Sequence, residues 1–223
     1  SAACPMPLFE QWKARTGQVL LERYGMTEIG MAISNPYHGE RRAGYVGQPL
    51  PGVQVMLARE DGAAITEEGM PGEIRIKGAN VFREYWDNPK ATEESFVDGW
   101  FRTGDMAVVE NGYYRIMGRT SIDIIKSGGY KLSALEIEGV LLDHPDIAEI
   151  AVIGIADDVW GEAVGAVIVA REGADLTPEA LKTWCEGKLS AYKIPKRIRF
   201  AQALPRNAMG KVIKPDLKPL LAD

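Results

Sequence analysis

Histidine and cysteine are scarce in this sequence: His38, His144, Cys4 and Cys185 are the whole supply in 223 residues. Two cysteines make no disulfide framework. Two histidines, His38 and His144, argue against a histidine-rich metal site. Long apolar runs are lacking too. The longest, Ala163 to Ala170, has 8 residues, against the ~20 that a bilayer-crossing helix needs, so no membrane span is expected. No basic-then-apolar signal segment opens the chain. The expected setting is a reducing, intracellular one, cytoplasm or organelle matrix. Charge of one sign is also missing: 26 Lys+Arg stand against 31 Asp+Glu, a net of −5. That balance, with few aromatics among the cations, argues against a nucleic-acid surface. The Walker A loop GxxxxGK[ST] is absent: Gly210-Lys211 is followed by Val212, not by Ser or Thr.

What is present is ordinary globular composition, 46% hydrophobic and 26% charged, long enough for ~1.5 domains. Positive charge collects late. Residues 188–218 hold nine basic side chains (among them Lys193, Lys196, Arg206, Lys211 and Lys214) and one acid, Asp216. A solvated face is the reading for most of these nine, and a phosphate-facing role for a few.

The pattern of elements divides the chain. Leu8, Phe9 and Trp12 fall at helical spacing, with Gly17 as a stop. VLLERYG reads as a short buried strand. From 44 to 118, short alternating runs punctuated by Gly and Pro predict antiparallel β structure, barrel-like, with one helical segment at 88–96. After Gly118, IDIIKSGGYKL predicts a hairpin turning at Gly128-Gly129. Ser133-Ala-Leu-Glu136 is a capping box opening a helix to about Leu142. Two apolar strands follow, then a helix capped by Thr177-Pro178 and reaching about Leu189, then a last strand KRIRFA. The fold class is therefore α/β (α+β), with 1–118 as the end of a larger domain and 119–223 as a small α+β domain.

Four clusters carry chemistry. Tyr24-Gly25-Met-Thr27-Glu28 offers a ring to stack, a hydroxyl for phosphate and a carboxylate for Mg²⁺. Trp100-Phe-Arg-Thr-Gly-Asp105 places an acceptor-only carboxylate after a Gly, suited to two vicinal hydroxyls. Arg119 and the Gly128-Gly129 pair form the third, the glycines allowing close backbone approach. Pro205-Arg-Asn-Ala-Met-Gly-Lys211 puts a mobile cation on a loop. Each alone is commoner as a plain turn.

Their order and spacing resemble the adenylate-forming superfamily of acyl-CoA synthetases, luciferases and peptide-synthetase adenylation domains. The resemblance covers the whole chain. It implies ATP, Mg²⁺ and coenzyme A as cofactors. It also implies Tyr24, Gly25 and Thr27 around adenine and phosphate, Glu28 on Mg²⁺, Asp105 and Arg119 on the ribose, and Lys211 between substrate carboxylate and α-phosphate. Thr27, Glu28 and Lys211 would be the catalytic set. Gly128 and Gly129 would line the pantetheine tunnel, and Ser1-Ala2-Ala3 would be the tail of an adenine-side loop. Residues 34–55 resemble malonyl-CoA synthetases, whose loop after YGMTE carries an Arg for the distal carboxylate. Arg41 matches best and Arg42 is the neighbour. The implied function is malonate + ATP + CoA to malonyl-CoA. The alternatives are a ligase for another short acid, an amino-acid-adenylating domain, or a non-catalytic truncated module. The superfamily's upstream Ser/Thr/Gly-rich phosphate loop is not in this sequence, so the N-terminal portion of the enzyme is an expected partner. The hinge is expected at 119–123, with Ser121 or Asp123 as the pivot.

Overall fold

The computed structural model describes residues 4–222, and the expectation for Ser1–Ala3 lies outside them. In chain order come helix α1 (Met6–Thr16) and strands β1 (Arg23–Met26), β2 (Gly30–Ser34), β3 (Gln48–Pro49), β4 (Gln54–Ala58) and β5 (Gly72–Lys77). Helix α2 (Pro89–Glu94) and strands β6 (Phe96–Val97), β7 (Trp100–Glu110), β8 (Tyr113–Arg119), β9 (Ile124–Ser127) and β10 (Tyr130–Ser133) follow. Helix α3 (Ala134–Leu142), strands β11 (Ile147–Asp157) and β12 (Gly161–Ala170), helix α4 (Pro178–Cys185), strand β13 (Arg197–Phe200) and a 3₁₀ segment Lys214–Leu221 complete the chain. Two compact units emerge among the described residues, 8–120 and 121–222, the second also taking in residues 4–7. No described helix is long and apolar enough to cross a bilayer.

The first unit holds two open sheets. One has the order β1-β2-β3, and the other β4-β5-β7-β6 with β8 added to β7. Among the described residues they do not close into a barrel, which corrects the barrel-like expectation. The short runs around each Gly make hairpin neighbours, but β4 and β6 remain as edges. Ile29, Ile33, Ile74 and Ile76 are fully buried between these strands with Phe101. Phe82, Phe96 and Phe101 pack ring to ring, with centroids 5.3–5.6 Å apart, an arrangement favoured by the ring quadrupole. The VLLERYG strand is shorter than predicted: it begins at Arg23 and is half-buried, not buried.

The second unit is a five-stranded sheet ordered β10-β9-β12-β11, with β13 parallel to β12. Gly128 and Gly129 turn the β9–β10 hairpin at φ +57° and +84°, the left-handed pair that suits strand twist. Strands β11 and β12 are apolar on both faces for a physical reason. Ile150, Val152, Val164 and Ile168 pack against α3 and α4, while Ile153, Ile155 and Val167 pack against Leu204, Leu217 and Leu221. A strand covered on both sides reads as a continuous apolar run. Ser133 Oγ accepts Glu136 N at 3.1 Å and Thr177 Oγ1 accepts Ala180 N at 3.1 Å, so both predicted caps are made. Helix α4 stops at Cys185, four residues before Leu189. Gly187 takes φ +76°, and Leu189 is still buried, reached by a turn in which its N–H bonds to Cys185 O.

Candidate active site

Strand β1 delivers the first cluster. A bulge falls between Tyr24 and Gly25, and a Cβ on Gly25 would sit 2.1 Å from the Gly30 carbonyl oxygen. Only glycine lets β1 and β2 approach this closely. Gly25 is thus inside the strand, not in a turn. The turn comes at Thr27–Ile29, closed by Ile29 N to Met26 O at 3.1 Å and held by the fully buried Ile29. Thr27 is exposed and Glu28 half-buried.

Asp105 reaches the same place from β7. Three residues of β5, Glu73 to Arg75, face five of β7, Arg102 to Met106. The excess is a bulge at Thr103-Gly104-Asp105, with Gly104 at φ +72°. Thr103 Oγ1 donates to Ile74 O at 2.8 Å and accepts Asp105 N at 3.1 Å. The Gly-Asp pair is therefore a mid-strand bulge, not a connection between strands. Bulges re-aim side chains in this way.

These residues meet. Tyr24 Oη donates to Asp105 Oδ2 at 2.7 Å. Arg119 Nε, at the end of β8, donates to Asp105 Oδ1 at 3.2 Å. The Tyr24 phenol is pushed upward by burial and then by the Asp105 charge, so it stays a neutral donor. Each Asp105 oxygen has one partner here and lone pairs to spare, enough for two further donors. Glu28 Oε1 accepts Tyr85 Oη at 3.0 Å. Burial and then Glu28 push the Tyr85 phenol up, and the Arg119 charge bears on it in the opposite direction. Sequence reasoning missed Tyr85. No described group of three or more His, Cys, Asp or Glu could hold a metal by itself. A Mg²⁺ on Glu28 would need phosphate oxygens as its other ligands, its usual habit.

The 35–45 loop is held by its own backbone and by the 19–22 segment. Buried Asn35 donates to Glu22 O and Tyr45 O and accepts Arg42 N. The Arg41 guanidinium donates to Val19 O at 2.7 Å, Tyr37 O at 2.9 Å and Pro36 O at 3.3 Å. Of its five N–H groups, one on each terminal nitrogen remains. Arg41 also lines an open cleft of about 590 Å³ with Gln18, Val19, Leu21, Tyr37 and His38. Arg42 instead pairs with Glu40 at 3.1 Å and lies over the Tyr113 ring at 4.1 Å.

The remaining candidates belong to the second unit. Trp160 covers Gly128: a Cβ there would lie 2.6 Å from its ring. Gly128 N donates to Trp160 O at 2.9 Å. Lys211 sits on an exposed loop. Asn207 Oδ1 accepts the N–H groups of Met209 and Lys211 at 3.0 and 2.9 Å, and Gly210 takes φ +79°. Of the nine late cations, Lys214 is one that is not solvated, being buried among carboxylates.

A model of the AMP-binding enzyme family matches residues 1–86, and a model of the AMP-binding enzyme C-terminal domain matches residues 136–211. The cattle (Bos taurus) protein "Malonate--CoA ligase ACSF3, mitochondrial" is 49% identical over 97% of this chain and 40% of its own length. The Arabidopsis thaliana "Malonate--CoA ligase" is 50% identical over 99% of this chain and 38% of its own. Among solved structures, ATP-bound MatB from Rhodopseudomonas palustris superposes with a TM-score of 0.91 at 40% identity, covering all of this chain and 44% of that one. The chain thus spans about two fifths of the length of the curated relatives it matches.

Proposed function

This chain belongs to the AMP-binding, adenylate-forming enzyme family, and from that premise we propose that it serves an ATP-dependent acid–CoA ligase acting on malonate. The observation that carries the reading is the meeting of Tyr24, Asp105 and Arg119, drawn from three separate strands. In the complete protein, malonate attacks the α-phosphate of ATP, giving malonyl-adenylate and pyrophosphate. The thiol of coenzyme A then attacks the acyl carbon and expels AMP.

In this reading Asp105 accepts the ribose hydroxyls while Arg119 and Tyr24 hold its carboxylate still. The Tyr24 ring lies beside adenine, and Thr27 donates to phosphate. Glu28, steadied by Tyr85, would hold Mg²⁺, which supplies charge neutralisation at the phosphates. Lys211 stabilises the charge that develops during adenylation. The second unit then turns about residues 119–123 and presents Gly128-Gly129 for thiolation, a conformational gate between two half-reactions. Arg41 takes the distal carboxylate through its two remaining N–H groups, a fork that suits a carboxylate. The organelle matrix is the compartment we assign, on the name of the cattle relative.

A ligase for a different short acid is the second reading. The three bonds from Arg41 to the carbonyls of Val19, Pro36 and Tyr37 favour it. Malonate-, acetate- and methylmalonate-dependent pyrophosphate release by the complete protein tests both. Preference for malonate supports the first, and preference for acetate the second. The 223-residue chain by itself lacks the backbone donors of a phosphate loop, and is expected to release no pyrophosphate.

A further inference from the structure

Lys214 is one-tenth exposed, and its ammonium lies 2.6 Å from Asp123 Oδ1 and 2.7 Å from Glu138 Oε1. Three segments of the second unit meet at that nitrogen: the residue before β9, helix α3, and the chain three residues past Lys211. Both carboxylates are tied down in turn. Glu138 Oε1 accepts Val152 N of β11 at 2.7 Å. The Asp123 carbonyl accepts Ala134 N at 2.8 Å. Burial draws the Glu138 carboxyl upward, against the pull of Lys214. An ammonium buried between two carboxylates cannot leave without stranding a desolvated charge, so this contact outlasts any rotation of the unit.

The Lys211 loop is fastened at both ends. At its entry, Arg206 pairs with Glu149 on β11 and donates to Gly210 O at 2.6 Å. At its base, Ile213 N donates to Pro205 O at 2.8 Å. At its exit stands Lys214.

We propose that Lys214 is a positioning residue for adenylation: by binding Asp123 and Glu138 it fastens the Lys211 loop to the start of β9. Lys211 and Asp123 then move as one body. The pivot falls at residues 120–122, where Ser121 and Ile122 are exposed. This chooses Ser121 over Asp123 as the hinge residue. The proposal rests on the two-conformation reading above.

Its first test needs no activity. In the 223-residue chain, Lys214→Met should speed amide hydrogen exchange about tenfold or more both at 207–213 and at 121–126, with β11 and β12 still protected. Faster exchange in the Lys211 loop alone would overturn the coupling. The second test uses the complete enzyme. Lys214→Met should slow adenylate formation about tenfold to a hundredfold, the scale of an ångström-sized misplacement. KM for ATP and the thiolation of supplied malonyl-adenylate should hold, and Lys214→Arg should restore most of the rate. Equal loss of both half-reactions with a lowered Tm would mean a merely structural role. If Lys214→Met does not fold, Lys214→Gln keeps a donor and Asp123→Asn keeps an acceptor. Each should give the same selective loss, only smaller, and a parallel loss in both overturns the proposal. If the unmodified enzyme makes no adenylate at all, the ligase reading fails, while the exchange experiment still decides this one.

Discussion

The Asp105 cluster and the Lys211 loop solve opposite problems. In the first, side chains hold one another: Tyr24 and Arg119 both donate to Asp105 before any ligand arrives. In the second, the backbone is held and the side chain is left loose. Asn207, Arg206 and Gly210 shape the loop, yet the Lys211 ammonium has no partner among the described residues. On the proposed function, the contrast follows from what each would have to do. Groups that bind a ground state gain from preorganisation, because the ordering cost is met in folding. A cation needed for one step and harmful to the next gains from a rigid base and a free tip.

The largest break in this contrast should come from Lys211→Ala in the complete enzyme. Adenylate formation should fall by about 10²–10³ or more, the scale of losing a transition-state charge stabiliser. Thiolation of supplied malonyl-adenylate should be spared. The exposed side chain carries no stability, so Tm should hold within the range usual for surface positions. A parallel fall in both half-reactions would contradict the two-conformation mechanism.

Next in size is Arg41→Ala. If the distal carboxylate of malonate is desolvated against Arg41, removing the cation costs about 3–5 kcal/mol, or two or more orders in kcat/KM. Acetate, which needs no such anchor, should be affected little. Arg41→Lys should recover part of the loss, since an ammonium makes no paired fork, and Arg42→Ala should be mild. If acetate falls in step with malonate, the three carbonyl bonds of Arg41 are its main service and the acid remains to be found.

How much of this was legible in the residues divides along sequence distance. The Gly128-Gly129 turn, the Ser133 and Thr177-Pro178 starts and the Gly17 stop are local. Their physics is complete within four residues, and the sequence displays it. The Asp105 bulge is set by the register of β7 on β5, so Gly104-Asp105 looked like a turn. Tyr24 meets Asp105 across 81 positions, Tyr85 meets Glu28 across 57, and Lys214 meets Asp123 across 91. Nothing in a short window distinguishes buried Lys214 from its exposed neighbours. A Tyr one residue past Glu84 in a polar stretch likewise gave no sign of facing Glu28.

A smaller effect should follow from loosening the preorganised cluster. Tyr24→Phe removes a donor to a charged acceptor, an interaction worth about 1.5–3 kcal/mol. KM for ATP should rise about tenfold, with the rate at saturation nearly kept. The Tyr24 phenol is held above its ordinary range. It stays protonated across any working pH, so its loss should lower affinity without changing the shape of the pH profile. An alkaline limb that vanished in Tyr24→Phe would show that this tyrosine ionises, and would break the account of it as a fixed donor.

The smallest effects compare one residue type in both settings. Asn35 is 2% exposed and gives its amide N–H groups to Glu22 O and Tyr45 O. Asn35→Ala strands those carbonyls and the Arg42 N–H in the interior, at a cost of about 1–3 kcal/mol, read as a lower Tm of the first unit. Asn207 accepts two N–H groups on an exposed loop, where water replaces it. Asn207→Ala should therefore cost under about 1 kcal/mol. Its trace should be kinetic instead: a loosened loop lets Lys211 sample more positions, so adenylation slows a few-fold while thiolation and Tm hold. If Asn207→Ala moved Tm as far as Asn35→Ala, the loop would be part of the unit's cooperative core. The distinction between a held side chain and a held backbone would then have to be given up.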